Sequence, residues 1–168
     1  MNLNEYWTYD DHVTDLSGYG PHSGEMCYDG DMVSAVYLVR DDGALLLQLR
    51  DEKVGLRHSG LWVPPGGHLD SGETLEIAAI REFKEETEIT CQNLHWISSL
   101  EITLCQWPKY LLANFWSSYD RNQKHVCHEG QKLEFISRGD AQGLPMPSFI
   151  VSIWDHILNT QKKSRIPN

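Results

Sequence analysis

The alternation of apolar and polar positions divides the chain into elements. β-branched and aromatic residues run from Val33 to Arg40, Asp41-Asp42-Gly43 supplies turn chemistry, and a second apolar run returns from Ala44 to Arg50. This pattern predicts a β-hairpin. A polar loop from Asp51 to Gly60 leads into Leu61-Trp62-Val63 and then Pro64-Pro65-Gly66-Gly67, where two prolines and two glycines impose a stiff, sharp bend. Behind it Leu75, Ala78, Ala79 and Phe83 recur at helical spacing, with Thr74 placed to cap the helix and Glu76 in its first turn. The spacing predicts a helix ending near Glu88.

Two strand-like runs follow, about 95–104 and 110–119, separated by Trp107-Pro108. After a polar loop, 120–130, a shorter strand is expected near 132–137. Pro147 opens an amphipathic helix carrying Phe149, Ile150, Ile153, Trp154 and Ile157, and a basic tail, 162–168, ends the chain. Residues 1–31 mix glycines with Tyr6, Trp7 and Tyr9 and read as an irregular arm packed on the main domain, 32–161.

At 168 residues this is one domain with room for a real core. Its apolar runs are short against the ~20 residues of a membrane span, so no membrane role is expected. The formal charge of -10 opposes binding to anionic membranes or to the backbone of long nucleic acids. No Lys or Arg precedes Arg40, which argues against a secretory or mitochondrial presequence and for a cytoplasmic protein. Cys27, Cys91, Cys105 and Cys127 have no C-x-x-C spacing and are expected to be reduced and mostly buried.

The chemistry concentrates on the first helix. Glu82, Glu85 and Glu86 stand at i, i+3 and i+4, so three like charges project from one face. Such a set is either a solvated helix face or the oxygen-ligand set of a hard divalent cation. Mg²⁺ is usually held by a few carboxylates plus substrate phosphates, which points toward phosphate chemistry.

The spacing decides between these. Gly67, Glu73, Arg81, Glu82, Phe83, Glu85, Glu86 and Ile89 fit G-x5-E-x7-R-E-U-x-E-E-x-G-U, where U is apolar, and this resembles the signature of the Nudix hydrolase family (MutT-like). One position departs: Glu88 stands where the family has its last glycine. Glu with positive φ would cost about 1 kcal/mol, so the helix is expected to run on or to end differently there.

The resemblance implies an α/β fold, an α/β/α sandwich with a mixed central sheet between the two helices. It implies a Mg²⁺ site, with Mn²⁺ as a substitute, made by Glu82, Glu85, Glu86 and the Gly66 carbonyl. Arg81 would hold the glutamates in place, while Gly67 and Glu73 would support the loop. Glu129, in a later loop, resembles the distal general base of some members, and Glu82 is the other candidate. Arg50 resembles a position that contacts substrate phosphate; Lys53 and Arg57 read as solvated charges. His125, Cys127 and His128 lack a second pair at zinc spacing and are read as a loop without metal.

The implied activity is hydrolysis of a diphosphate linkage in a small, nucleotide-like substrate, such as a nucleotide sugar or a nucleoside triphosphate. Sanitising of oxidised nucleotides shares every catalytic residue, and a non-catalytic nucleotide-binding module keeps the fold. Trp62, Trp107, Tyr110 and Trp116 are available for base stacking, although core packing is the stronger expectation for most. Many relatives of this kind dimerise, and a homodimer is among the expectations.

Overall fold

The computed structural model describes residues 12–16, 18–24, 27–105 and 107–164. Within them the chain order is β1 (His12–Asp15), β2 (Asp31–Val39), β3 (Leu45–Leu49), β4 (Trp62–Val63), β5 (Gly66–His68), α1 (Leu75–Thr87), β6 (His95–Thr103), β7 (Tyr110–Ser118), β8 (Lys132–Ile136) and α2 (Ser148–Ser164). The strands form one mixed sheet in the order β1-β6-β7-β2-β3-β4, with β5 paired to β2 and β8 paired to β3. The β2–β7 pair is parallel, in register from Asp31↔Tyr110 to Val39↔Ser118, and the other pairs are antiparallel.

Each face of the sheet is covered by one helix. Val36, Leu38, Leu46, Leu111, Ala113 and Phe115 pack against Leu75, Ala79 and Phe83 of α1. On the other face, Tyr37, Val39, Leu45 and Leu47 meet Ile150, Ile153, Trp154 and Ile157 of α2. Burial on both faces explains why β3 reads Leu45-Leu46-Leu47 rather than alternating with polar residues. Each fully enclosed side chain, such as Phe83 or Trp154, contributes roughly 1.5–3 kcal/mol of transfer free energy. The expected α/β/α sandwich is therefore the architecture found.

Three local expectations are corrected. The arm is not irregular throughout, because its residues 12–15 form β1 along the β6 edge, while residues 1–11 lie outside the described set. All four β1 residues are exposed, so no apolar alternation marked them. The first three residues of the expected basic tail continue α2 to Ser164, with Lys162 and Lys163 in its last turn, where cations complement the helix dipole.

The third correction concerns Glu88. It caps α1 in the left-handed conformation, φ 64°, the shape in which glycine is favoured. The last turn is tied from outside: the amides of Val126 and His128 donate to the carbonyls of Thr87 and Glu86, and Glu88 Oε1 lies 2.7 Å from His128 Nε2. These contacts over-determine the turn and offset its strain.

Candidate active site

The Pro64-Pro65 bend brings the chain back along β2, where Gly66 and Gly67 pair with Ala35 and Ser34. This pairing is close. A Cβ on Gly66 would sit 2.0 Å from the Ser34 carbonyl oxygen, so only glycine fits. The bend then delivers α1 over the same strand, with Ser34 Oγ donating to the Leu75 carbonyl at 2.7 Å.

Arg81 organises the acidic face. Its Nε and Nη2 grip both oxygens of Glu73 at 2.7 and 2.8 Å, its Nη1 donates to Glu82 Oε1 at 2.8 Å, and Nη2 also reaches the His68 carbonyl at 3.0 Å. The fork keeps the guanidinium charged and holds the Glu73 carboxyl below the usual carboxylate range, despite some opposing desolvation. Lys could not reproduce this planar grip. The Glu82 carboxylate lies against Gly67, whose added Cβ would come within 2.4 Å of Glu82 Cδ. Gly67→Ala is accordingly expected to fold normally yet displace the Glu82 carboxylate, lowering kcat about tenfold or more, since a 1 Å misplacement can cost up to ~10²-fold. Steady-state kinetics beside a melting curve checks both halves.

Glu86 is only 6% exposed and accepts a hydrogen bond from the Gly66 amide at 2.9 Å. Burial raises its carboxyl well above the usual range, and repulsion from Glu129 adds to this. Glu129 stands on the loop before β8. Its carbonyl is held by Gln48 Nε2 at 2.9 Å, and its carboxylate is 3.9 Å from Arg50 Nη1.

A cleft of about 350 Å³ opens between these groups, and Glu82, Glu86, Glu129, Arg50, Arg57 and His58 line it. The structure thus gathers Gly66, Gly67, Glu82, Glu86, Glu129 and Arg50 around one space. It leaves Glu85 outside that wall, with its side chain 60% exposed and 3.5 Å from Arg81.

Among the described residues, no three His, Cys, Asp or Glu side chains converge on one ion position. The donor set nonetheless fits a hard cation. A carboxylate raised by burial and by its neighbours' negative charge gains from a positive ion, and Mg²⁺ needs only one or two carboxylates when phosphates complete its shell.

Several participants escaped sequence reasoning. Arg57 is not a solvated charge: its side chain is 17% exposed, it donates to Asp31 at 2.7 Å, and it stacks 4.7 Å from the Tyr110 ring centre. His58 Nε2 lies 2.8 Å from the Tyr110 hydroxyl. Gln48 did carry a signal, being the one polar residue in the buried strand Leu45–Leu49. Of the aromatics, Tyr110 lines the cleft, Trp62 is core, Trp116 stacks on His95 at 5.1 Å, and Trp107 lies near Arg57. The expectation of mostly buried thiols fails, because Cys27, Cys105 and Cys127 are exposed and only Cys91 is buried, its thiol pushed up to about 12 by burial.

Desolvation, reinforced by Arg50 and Arg57, lowers the His58 imidazole to about 4, from an ordinary value of 6.5. The neutral form is favoured on folding, so its contribution is complete above pH 6.5 and is lost as pH falls toward 4. The loss reaches about 2 kcal/mol once partial solvent access is allowed for. Wild type is expected to lose melting temperature across that window more steeply than His58→Asn, a residue that tolerates the positive φ of 55° found there.

The sheet, the two covering helices and the glycine-shaped acidic cleft define a class. The NUDIX domain model matches residues 30–143, and the chain belongs to this family of hydrolases, which act on phosphoric anhydride bonds. It is similar to YvcI, an uncharacterized Nudix hydrolase of Bacillus subtilis, with 30% identity over 136 residues covering 77% of this chain and 80% of that protein. It is also similar to the m7GpppN-mRNA hydrolase NUDT17 of Xenopus laevis, with 36% identity over 117 residues, 61% of this chain but only 39% of that protein. Among solved structures, a MutT protein from Bacillus halodurans matches with a TM-score of 0.61 and 26% identity, over 77% of this chain and 82% of its own. A Caenorhabditis elegans Ap4A hydrolase shares the fold, with a TM-score of 0.65 at 21% identity, over 80% and 99% of the two chains.

Proposed function

We propose that this protein is a Mg²⁺-dependent pyrophosphohydrolase acting on a small substrate with a diphosphate linkage, a nucleotide sugar or nucleoside triphosphate in kind. One observation carries the reading: a single cleft is lined by the acidic residues Glu82, Glu86 and Glu129 together with the basic residues Arg50 and Arg57. Glu82, Glu86 and the Gly66 carbonyl, joined by Glu85, are the groups that would hold Mg²⁺. A bound cation of this kind supplies an acidified water and neutralises charge developing on phosphate oxygen.

The chain's own residues do the rest. Glu129 takes the proton of the attacking water as its oxygen bonds to phosphorus and the bridging P–O bond breaks, leaving two phosphate esters, or a monophosphate and pyrophosphate. Arg50 and Arg57 bind the non-bridging oxygens, for which a guanidinium fork is well shaped. Arg81 keeps Glu82 aimed into the cleft. The charge of -10 favours a small anion over a long polyanion, although one relative bears the name of an mRNA cap hydrolase.

Phosphate release with Mg²⁺ across nucleotide sugars, dinucleotides, ordinary and oxidised nucleoside triphosphates and a capped oligoribonucleotide tests the proposal. Turnover of one small diphosphate class is expected, falling about 10²-fold or more in Glu85→Gln and in Glu129→Gln. Full activity in Glu129→Gln would move the base to Glu82. Turnover of the oxidised triphosphates alone would mark a sanitising enzyme. Mg²⁺ binding without any turnover would indicate a non-catalytic nucleotide-binding module.

A further inference from the structure

Behind the acidic cleft lies a second, narrower recess of about 80 Å³, and the two share Val33, Arg50, His58, Gly66 and Tyr110 as wall. They are adjoining compartments. Apart from Ser34 and Tyr37 the rest of its lining is apolar, with Leu112 of β7 and Phe149 and Ile150 at the start of α2 among it. Its volume is that of roughly two or three waters, so it admits the tip of a group rather than a whole ring system.

Two polar atoms of its wall residues are enclosed and unpartnered. The Tyr37 side chain is fully buried and its hydroxyl has no hydrogen-bond partner, and the same holds for Arg50 Nε. A third such atom, Asn114 Oδ1, belongs to β7 and is not part of this wall. A buried hydroxyl left unsatisfied costs about 1–3 kcal/mol, and Phe in its place would avoid that cost. Such a group is more readily understood as held for a ligand, since departures from local satisfaction concentrate at functional sites.

The two atoms differ in chemistry: Arg Nε–H can only donate, whereas the Tyr37 hydroxyl, kept protonated by burial, can donate one hydrogen bond and accept others. The His58 imidazole and Tyr110 hydroxyl of the shared wall are already bonded to each other.

We infer that the recess is a specificity pocket, in which Tyr37 Oη–H and Arg50 Nε–H read an oxygen acceptor on the nucleoside-like part of the substrate that adjoins the phosphates. The inference rests on the pyrophosphohydrolase reading. It predicts preference for a carbonyl over an amino group there, because an amino group would leave the donor-only Arg50 Nε–H unpaired.

Calorimetric titration of the full chain with Mg²⁺ and two pairs of probes tests this: uridine against cytidine 5′-monophosphate, and inosine against adenosine 5′-monophosphate. The carbonyl-bearing member of each pair is expected to bind at least about tenfold tighter, as a donor-lined site would impose. Tyr37→Phe should weaken binding of the carbonyl-bearing member of each pair several-fold, by removing one donor to its oxygen, while melting no lower than wild type, since it removes only an unpaired hydroxyl. Equal affinities in wild type, failure of all four to bind, or unchanged affinity for the carbonyl-bearing members in Tyr37→Phe would each overturn the inference. Hydrolysis of a small diphosphate by a wild type that binds each pair equally would overturn it alone. Absence of all turnover would instead count against the activity.

Discussion

Gly66→Ala should lower the melting temperature by roughly 10 °C, corresponding to about 3 kcal/mol or more of overpacking strain in a chain of this size. The new Cβ would sit 2.0 Å from the Ser34 carbonyl oxygen and 2.7 Å from the Ala35 Cα, both on the central strand β2. Neither is the movable end of a side chain, so relief must come from breaking the β5–β2 pairing. That pairing also places the Gly66 amide on Glu86 and the Gly67 backbone against Glu82. Activity should therefore fall even well below the melting point. Thermal melts followed by circular dichroism, with kinetics at a temperature where the variant is fully folded, separate the two effects. A variant that melts with wild type would show that the bend can open without disturbing the sheet.

Glu86→Gln should behave oppositely in stability. Its amide oxygen can still accept the Gly66 amide, while the buried charge disappears. Because burial raises the Glu86 carboxyl above its ordinary value of 4.5, ionising it in the folded state is unfavourable, and that penalty grows as pH rises above about 4.5. In the absence of metal the variant should melt a few degrees higher than wild type at pH 8, with the difference gone near pH 4. With metal, kcat should drop on the order of 10²–10³-fold, the scale of losing one preorganised charge-stabilising group. Such a trade of stability for activity is expected where a site is deliberately strained. Equal melting temperatures at pH 8 would mean that Glu86 is not destabilising in the fold, and unimpaired turnover would remove it from the chemistry.

Much of this was legible in the residues, and the reasons are physical. The hairpin from β2 to β3, the helix capped by Thr74 and the strands β6 to β8 follow from local periodicity and turn chemistry, which act over a few residues. The acidic face of α1 was readable for the same reason, since i, i+3 and i+4 share a side. What could not be read locally was decided by partners far along the chain. β1 exists because β6 offers it an edge, and Gly66–His68 became a strand because β2 lay alongside. Glu88 adopts a glycine-like turn because residues 126–128 hold the helix end from outside. Arg57 looked like any exposed loop cation until Asp31 and Tyr110 enclosed it. Glu85 shows the converse: helical spacing placed it correctly on the acidic face, but its carboxylate turns toward Arg81 rather than into the cleft wall.

The parallel pairing of β2 with β7 sets a constraint on how the molecule can be made. The two strands bury the centre of both cores, yet almost eighty residues of chain separate the ends of their register, Asp31 and Tyr110. Loop closure over such a span must be spent before any of its contacts reward it, which puts folding in the slow, non-local regime of mixed sheets. During synthesis the β2–β3 hairpin and α1 leave the ribosome well before β7, and the face that carries Tyr37, Val39, Leu45 and Leu47 has no cover until α2 follows. The same long crossover that assembles the cleft in the finished protein therefore makes its first half, while growing, a client for whatever shields nascent hydrophobic surface.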